Sequence, residues 1–96
     1  MSSALDSVAV FEERARKFGL DQGEIDALKL RGWGTLGNFA FSCAYVPGQG
    51  DEAPLLNNVI TPIVGADSPK AAAIRRLFFE AYTMSAADLR WTSEIH

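Results

Sequence analysis

The stretch Asp21 to Tyr45, DQGEIDALKLRGWGTLGNFAFSCAY, constrains the fold more than any other part of the chain. Asp21 followed by Glu24 has the spacing of a capping box, in which each side chain takes a backbone N–H that the first helical turn leaves unpaired. Ile25, Leu28 and Leu30 then give a short apolar stripe, with Lys29 and Arg31 near the end where cations suit the helix dipole. Gly32 is placed to take the left-handed conformation that closes a helix, Gly34 adds a second permissive residue, and Thr35 supplies an N-cap. Leu36, Phe39, Ala40, Cys43 and Ala44 recur at helical spacing up to Pro47. Two helices joined by so few residues are expected to pack against each other at a steep angle around Trp33.

The remainder of the chain supplies helices to cover that pair. Leu5, Val8, Phe11, Ala15 and Phe18 follow three- and four-residue steps, which predicts a first helix over 5–18 closed by Gly19, with Leu20 packed under its last turn. Glu12 to Arg16 and Glu13 to Lys17 have the spacing of favourable ion pairs. Arg14, Arg16 and Lys17 therefore read as a solvated face rather than a phosphate site. Pro47 to Pro54, PGQGDEAP, is a surface loop by composition, and its Asp51 and Glu52 have no evident partner. Gly48-Gln49-Gly50 lacks the Lys-Ser or Lys-Thr pair that a phosphate loop requires.

Leu55, Leu56, Val59, Ile60, Ile63 and Val64 mark a short apolar helix. Pro62 would clash with the carbonyl of Asn58 in a regular helix, so this helix is expected to kink or end near Ile60, with a last turn before Gly65. Ser68-Pro69 is a strong start signal. The run from Pro69 to Arg90 has no glycine and no second proline, and predicts a single helix of about 22 residues, roughly 33 Å long. Ser85-x-x-Asp88 also has capping-box spacing, but an unbroken helix is the preferred reading. Phe78, Phe79 and Tyr82 present more aromatic surface than one helix face can bury. At least one of them is expected to lie exposed, forming an apolar patch near Trp91.

Ninety-six residues make one modest domain, and 48% apolar with 22% charged residues is ordinary for a folded globular chain. The C-terminal WTSEIH lacks a helix terminator, as expected of a domain within a longer protein. No apolar run reaches the roughly 20 residues that a membrane span needs, and the N-terminus lacks the features of a secretory signal. The one cysteine, Cys43, excludes an internal disulfide, so an intracellular setting, cytoplasmic or nuclear, is expected. The net charge is −3, and residues 1–31 carry five positive against six negative side chains. That balance disfavours nucleic acid as a partner, although a small basic patch remains compatible with it.

Catalysis is not expected. The only histidine is the terminal His96, Cys43 has no histidine to activate it, and no cluster has the spacing of metal ligands. No cofactor is implied. Two binding readings remain. In the first, Phe79, Tyr82 and Trp91 hold a protein partner or a second copy. In the alternative, Lys29, Arg31, Gly32, Gly34 and Thr35 present side-chain and backbone donors to a nucleic-acid phosphate. Trp33, between two glycines, is expected to be a lid on its own core rather than a docking anchor.

The segment Leu20 to Ala40 resembles the helix-hairpin-helix and SAM-like group of small helical domains, to which the C-terminal domain of the bacterial RNA polymerase alpha subunit is related in style. That resemblance covers about a quarter of the chain. GWGTLGNFAF, YVPG and RRLFFEAYTMSAADL together are also similar to segments of dinoflagellate polyproteins of retroelement type. The first resemblance implies a fold that serves either protein or DNA binding, and the second a small helical module at the front of a larger protein. The expectation is thus an all-α domain of about five helices, with a central helix-hairpin-helix and a long C-terminal helix. Its expected role is a non-catalytic interaction or assembly module, with nucleic-acid binding as the alternative.

Overall fold

The computed structural model describes residues 4–48 and 50–95, and for residues 88–95 the backbone alone. A 3-10 turn, Ala4–Asp6, leads into α1, Val8–Lys17. The helix expected from Leu5 is interrupted at Ser7, whose extended backbone and hydroxyl, accepting from Val10 N at 3.2 Å, start α1 afresh. Phe11 and Ala15 are its buried face. Gly19, at φ +105°, donates to the Arg16 carbonyl, and Leu20 donates to that of Ala15, both at 3.0 Å. That pair of bonds is a Schellman closure, and Leu20 is buried by it.

Helix α2, Gln22–Leu30, begins at Asp21, whose N–H donates to the Glu24 carboxylate at 2.9 Å. The same closure recurs at its end. Gly32, at φ +86°, donates to the Lys29 carbonyl at 3.0 Å, and Trp33 donates to that of Leu28 at 3.1 Å. Ile25 and Leu28 are buried, but Leu30 is 89% exposed and does not belong to the stripe. Thr35 caps α3, Leu36–Ala40, by accepting from Asn38 N at 3.2 Å.

Helix α3 is shorter than its apolar periodicity predicts. Phe41 and Ser42 donate to carbonyls three residues back, at 3.3 and 3.1 Å, and the helix stops before Cys43. Phe, Ser and Cys are weak helix formers, and the chain turns so that Tyr45 lies 5.9 Å from the Phe78 ring. The corner sends its two helices to different neighbours: α2 to α1 and the Thr61–Ile63 turn, α3 chiefly to the C-terminal helix. Gly37 lets α3 approach the N-terminal turn, since a Cβ there would sit 3.1 Å from the Leu5 carbonyl oxygen.

Residues 53–63 form one helical body, α4, in three parts: Ala53–Leu55, a π turn Leu56–Ile60, and Thr61–Ile63. Of the two outcomes expected near Ile60, a kink or an end, the end does not occur, and the expected last turn before Gly65 is present. The helix widens by one residue instead, with Thr61 N–H donating to Leu56, five residues back. The wider turn shifts the hydrogen-bond frame next to Pro62, which lacks an N–H for a regular bond. The body closes at Gly65, where both Val64 and Gly65 donate to the Ile60 carbonyl.

Helix α5, Lys70–Ile95, is continuous over 26 residues, about 39 Å, and runs past the expected end at Arg90. Ser68 Oγ accepts from Lys70 N at 3.1 Å. Among its described side chains, Ala71, Ala73, Ile74, Leu77, Phe78, Ala81 and Ser85 are buried. With α1 to α4 they enclose a core containing Phe11, Phe39 and Phe78. Phe39 stands between the other two, 5.9 Å from Phe11 and 5.6 Å from Phe78, edge to face in both cases. The protein is therefore a single all-α domain with a long C-terminal helix as its spine, and no strand forms among the described residues.

Ion pairs fasten the helices to that spine. Arg14 on α1 reaches Glu80 at 2.6 Å. Lys70 meets Asp21 at 3.3 Å and Glu24 at 3.6 Å, and also donates to the Gly19 carbonyl. Arg16 pairs with Glu12 at 3.3 Å as its spacing predicts, whereas Glu13 and Lys17 form no such pair.

Candidate interaction face

The aromatic chain of the core continues to the surface. Phe78 stacks on Tyr82 with ring centroids 6.4 Å apart and planes at 23°. Tyr82 in turn lies 6.1 Å from Phe41. Tyr82 is half-buried, while Phe41 and Phe79 are each 59% exposed. Helical geometry separates Phe78 from Phe79 by about 100°, so burying one turns the other outward.

Phe79 is the ridge between three hollows. One, of about 350 Å³, is bounded by Phe18, Arg75, Arg76, Phe79 and Glu80. A smaller one, of about 120 Å³, has Phe78 beside Tyr45, Pro47, Leu55 and the Arg75–Glu52 pair. The third, of about 300 Å³, runs along Pro47, Phe79, Tyr82, Thr83, Ala86 and Ala87. The small side chains of Thr83, Ala86 and Ala87 leave this third hollow shallow and mostly apolar.

Glu52 is not the unmatched loop acid expected from its context. Its carboxylate takes Arg75 Nη2 at 2.9 Å and Nε at 3.2 Å, and this bidentate pair fastens the loop to α5. Asp51 accepts from Ala53 N at 3.0 Å and so starts α4. Of the three residues expected to hold a partner, Phe79 and Tyr82 lie together, and the side chain of Trp91 is outside the described residues. Phe41, Phe18 and Pro47 join the face without having been singled out. Phe41 did carry a signal, because it falls off the stripe of Leu36, Phe39 and Ala40.

The corner offered as the alternative site is differently arranged. Lys29 Nζ is engaged by Glu12 at 3.0 Å. This hydrogen bond is the main reason the Glu12 carboxyl is held below its ordinary value; desolvation opposes it, and the nearby charges of Lys29 and Arg16 assist. The N–H groups of Arg31, Gly32 and Trp33 are consumed in closing α2, and Thr35 Oγ caps α3. Gly34 has the Lys29 side chain 3.4 Å from where its Cβ would be. Arg31 lies over the Trp33 ring at 5.9 Å, and Trp33 is half-buried beside Phe39 at 6.3 Å. Trp33 thus covers part of the core, and the corner's donors are largely spent on structure.

Cys43 is half-buried in the turn after α3 and packs against the core, and His96 lies outside the described residues. Among the described residues, no group of three or more His, Cys, Asp or Glu side chains is arranged to hold a metal ion. No helix there is long and apolar enough to cross a membrane. Comparison with protein-family models, with curated proteins and with solved structures finds no match to this chain.

Proposed function

We propose that this domain is a non-catalytic interaction or assembly module of a larger intracellular protein, and that it docks a protein partner through the face around Phe79. The observation that carries this reading is the pair of rings at 59% exposure, Phe79 and Phe41, flanking half-buried Tyr82 above apolar hollows. Aromatic side chains standing over such hollows are the usual anchors of protein interfaces. Contiguous apolar surface of this kind also distinguishes interaction sites from scattered exposed residues. Leu30 is a useful contrast, being more exposed than Phe79 but lining none of the three hollows described above.

The nucleic-acid alternative has less support, because Lys29 is neutralised by Glu12 and the corner's N–H groups close a helix. Co-purification of partners from cells tests the reading. Phe79→Asp should lose the partner while keeping its melting temperature, and Leu30→Asp should retain both. Equal recovery of the partner by Phe79→Asp and the parent would overturn the proposal.

A further inference from the structure

The charges around the Phe79 hollows are unequal, and resting on the interaction reading we propose that the face takes an acidic, apolar peptide segment. An apolar side chain sits between Phe18 and Phe79, and a nearby carboxylate meets Arg76. Four of the charged groups here are already matched. Arg75 holds Glu52 through two hydrogen bonds, and Arg14 holds Glu80 at 2.6 Å. Arg76 differs. Its guanidinium lies 5.0 Å over the Phe18 ring, and no carboxylate among the described residues pairs with it.

A guanidinium resting on an aromatic face keeps its fork of donors free for a planar carboxylate. The hollow that it borders is mostly apolar, with Phe18 and Phe79 in its lining, and its volume of about 350 Å³ has room for one or two side chains. Among the described residues, the wall therefore presents two neutral pairs and one unmatched cation, although the whole chain carries −3. A basic segment would meet Arg76 as a like charge. A second copy would bring its own negative charge and its own Arg76 to the same face. An acidic apolar segment satisfies the ring surface and the cation together.

The test is panning of a phage-displayed library of random twelve-residue peptides on the immobilised domain, with Phe79→Asp as the counter-target. Enriched peptides should combine a large apolar residue with Asp or Glu. Their affinity in solution should fall roughly tenfold with Arg76→Glu and change less than about twofold with Arg31→Glu. Melting curves of each variant establish that it is folded. Phe79-dependent peptides that lack acids, or that bind Arg76→Glu as well as the parent, overturn the acidic assignment and leave the interaction reading standing. Failure to enrich any Phe79-dependent peptide removes both. Sedimentation of the domain alone across a concentration series completes the test: a monomer agrees with the proposal, and a dimer abolished by Phe79→Asp assigns the face to a second copy and overturns it.

Discussion

Phe78 and Phe79 are joined by one peptide bond and face opposite environments, the first fully buried against Phe39 and the second 59% exposed. Truncation should separate them as sharply. Phe78→Ala removes a ring that touches Phe39, Tyr45 and Tyr82, and should cost about 3–5 kcal/mol. Phe79→Ala should lie within about 0.5 kcal/mol of the parent, as surface substitutions do. Denaturant unfolding of the two variants checks this, and equal losses would place Phe79 in the core.

Two glycines in and after α2 should respond in opposite directions to alanine. Gly23 lies within the first turn with ordinary dihedrals and open space around its Cβ position, so Gly23→Ala should stabilise the domain by about 0.5–1 kcal/mol. Gly32 closes the helix at φ +86°, and Gly32→Ala should destabilise it by about 1–2 kcal/mol despite equal space. Thermal melts of both variants decide it.

Trp33→Ala tests whether the corner is structural. The indole is half-buried against the core, so the loss should be about 2–3 kcal/mol, below the range for a fully buried aromatic. For a domain of this size that is a fall in melting temperature of more than about 8 °C. A variant melting within a degree or two of the parent would make Trp33 an anchor for a partner instead.

Glu12 gives the domain a pH dependence. Its hydrogen bond with Lys29 is the main reason its carboxyl lies below the ordinary 4.5, so its pairs contribute stability that is complete above that value. The contribution is lost as pH falls through the lower folded-state value. The melting temperature of the parent should therefore drop more steeply than that of Glu12→Gln from about pH 5 to about pH 3. Parallel curves would show that the Lys29 and Arg16 pairs do not persist in solution.

Much of the fold is legible in the sequence because its signals are local. Gly19 and Gly32 close helices, Ser68 starts one, and the uninterrupted run after Pro69 makes the spine. The failures come where distant contacts decide. The stripe through Cys43 and Ala44 continues in sequence, yet α3 stops early as the chain turns Tyr45 onto Phe78. Pro62 marks a disturbance, but local reasoning does not choose between a break and the π turn that accommodates it. The interaction face is legible in part for the same reason. Too many rings on one helix imply an exposed Phe79, whereas Phe18 and Phe41 arrive from separate turns of the fold.

Site-specific photo-crosslinking tests the central claim most directly. Benzoylphenylalanine placed at position 79, and separately at position 30, should be irradiated in cells that make the full-length protein. Position 79 should give a discrete protein adduct that is lost when Phe41→Asp is added, and position 30, the more exposed of the two, should give none. The same adduct from both positions, or an adduct from position 30 alone, would contradict the assignment of this face.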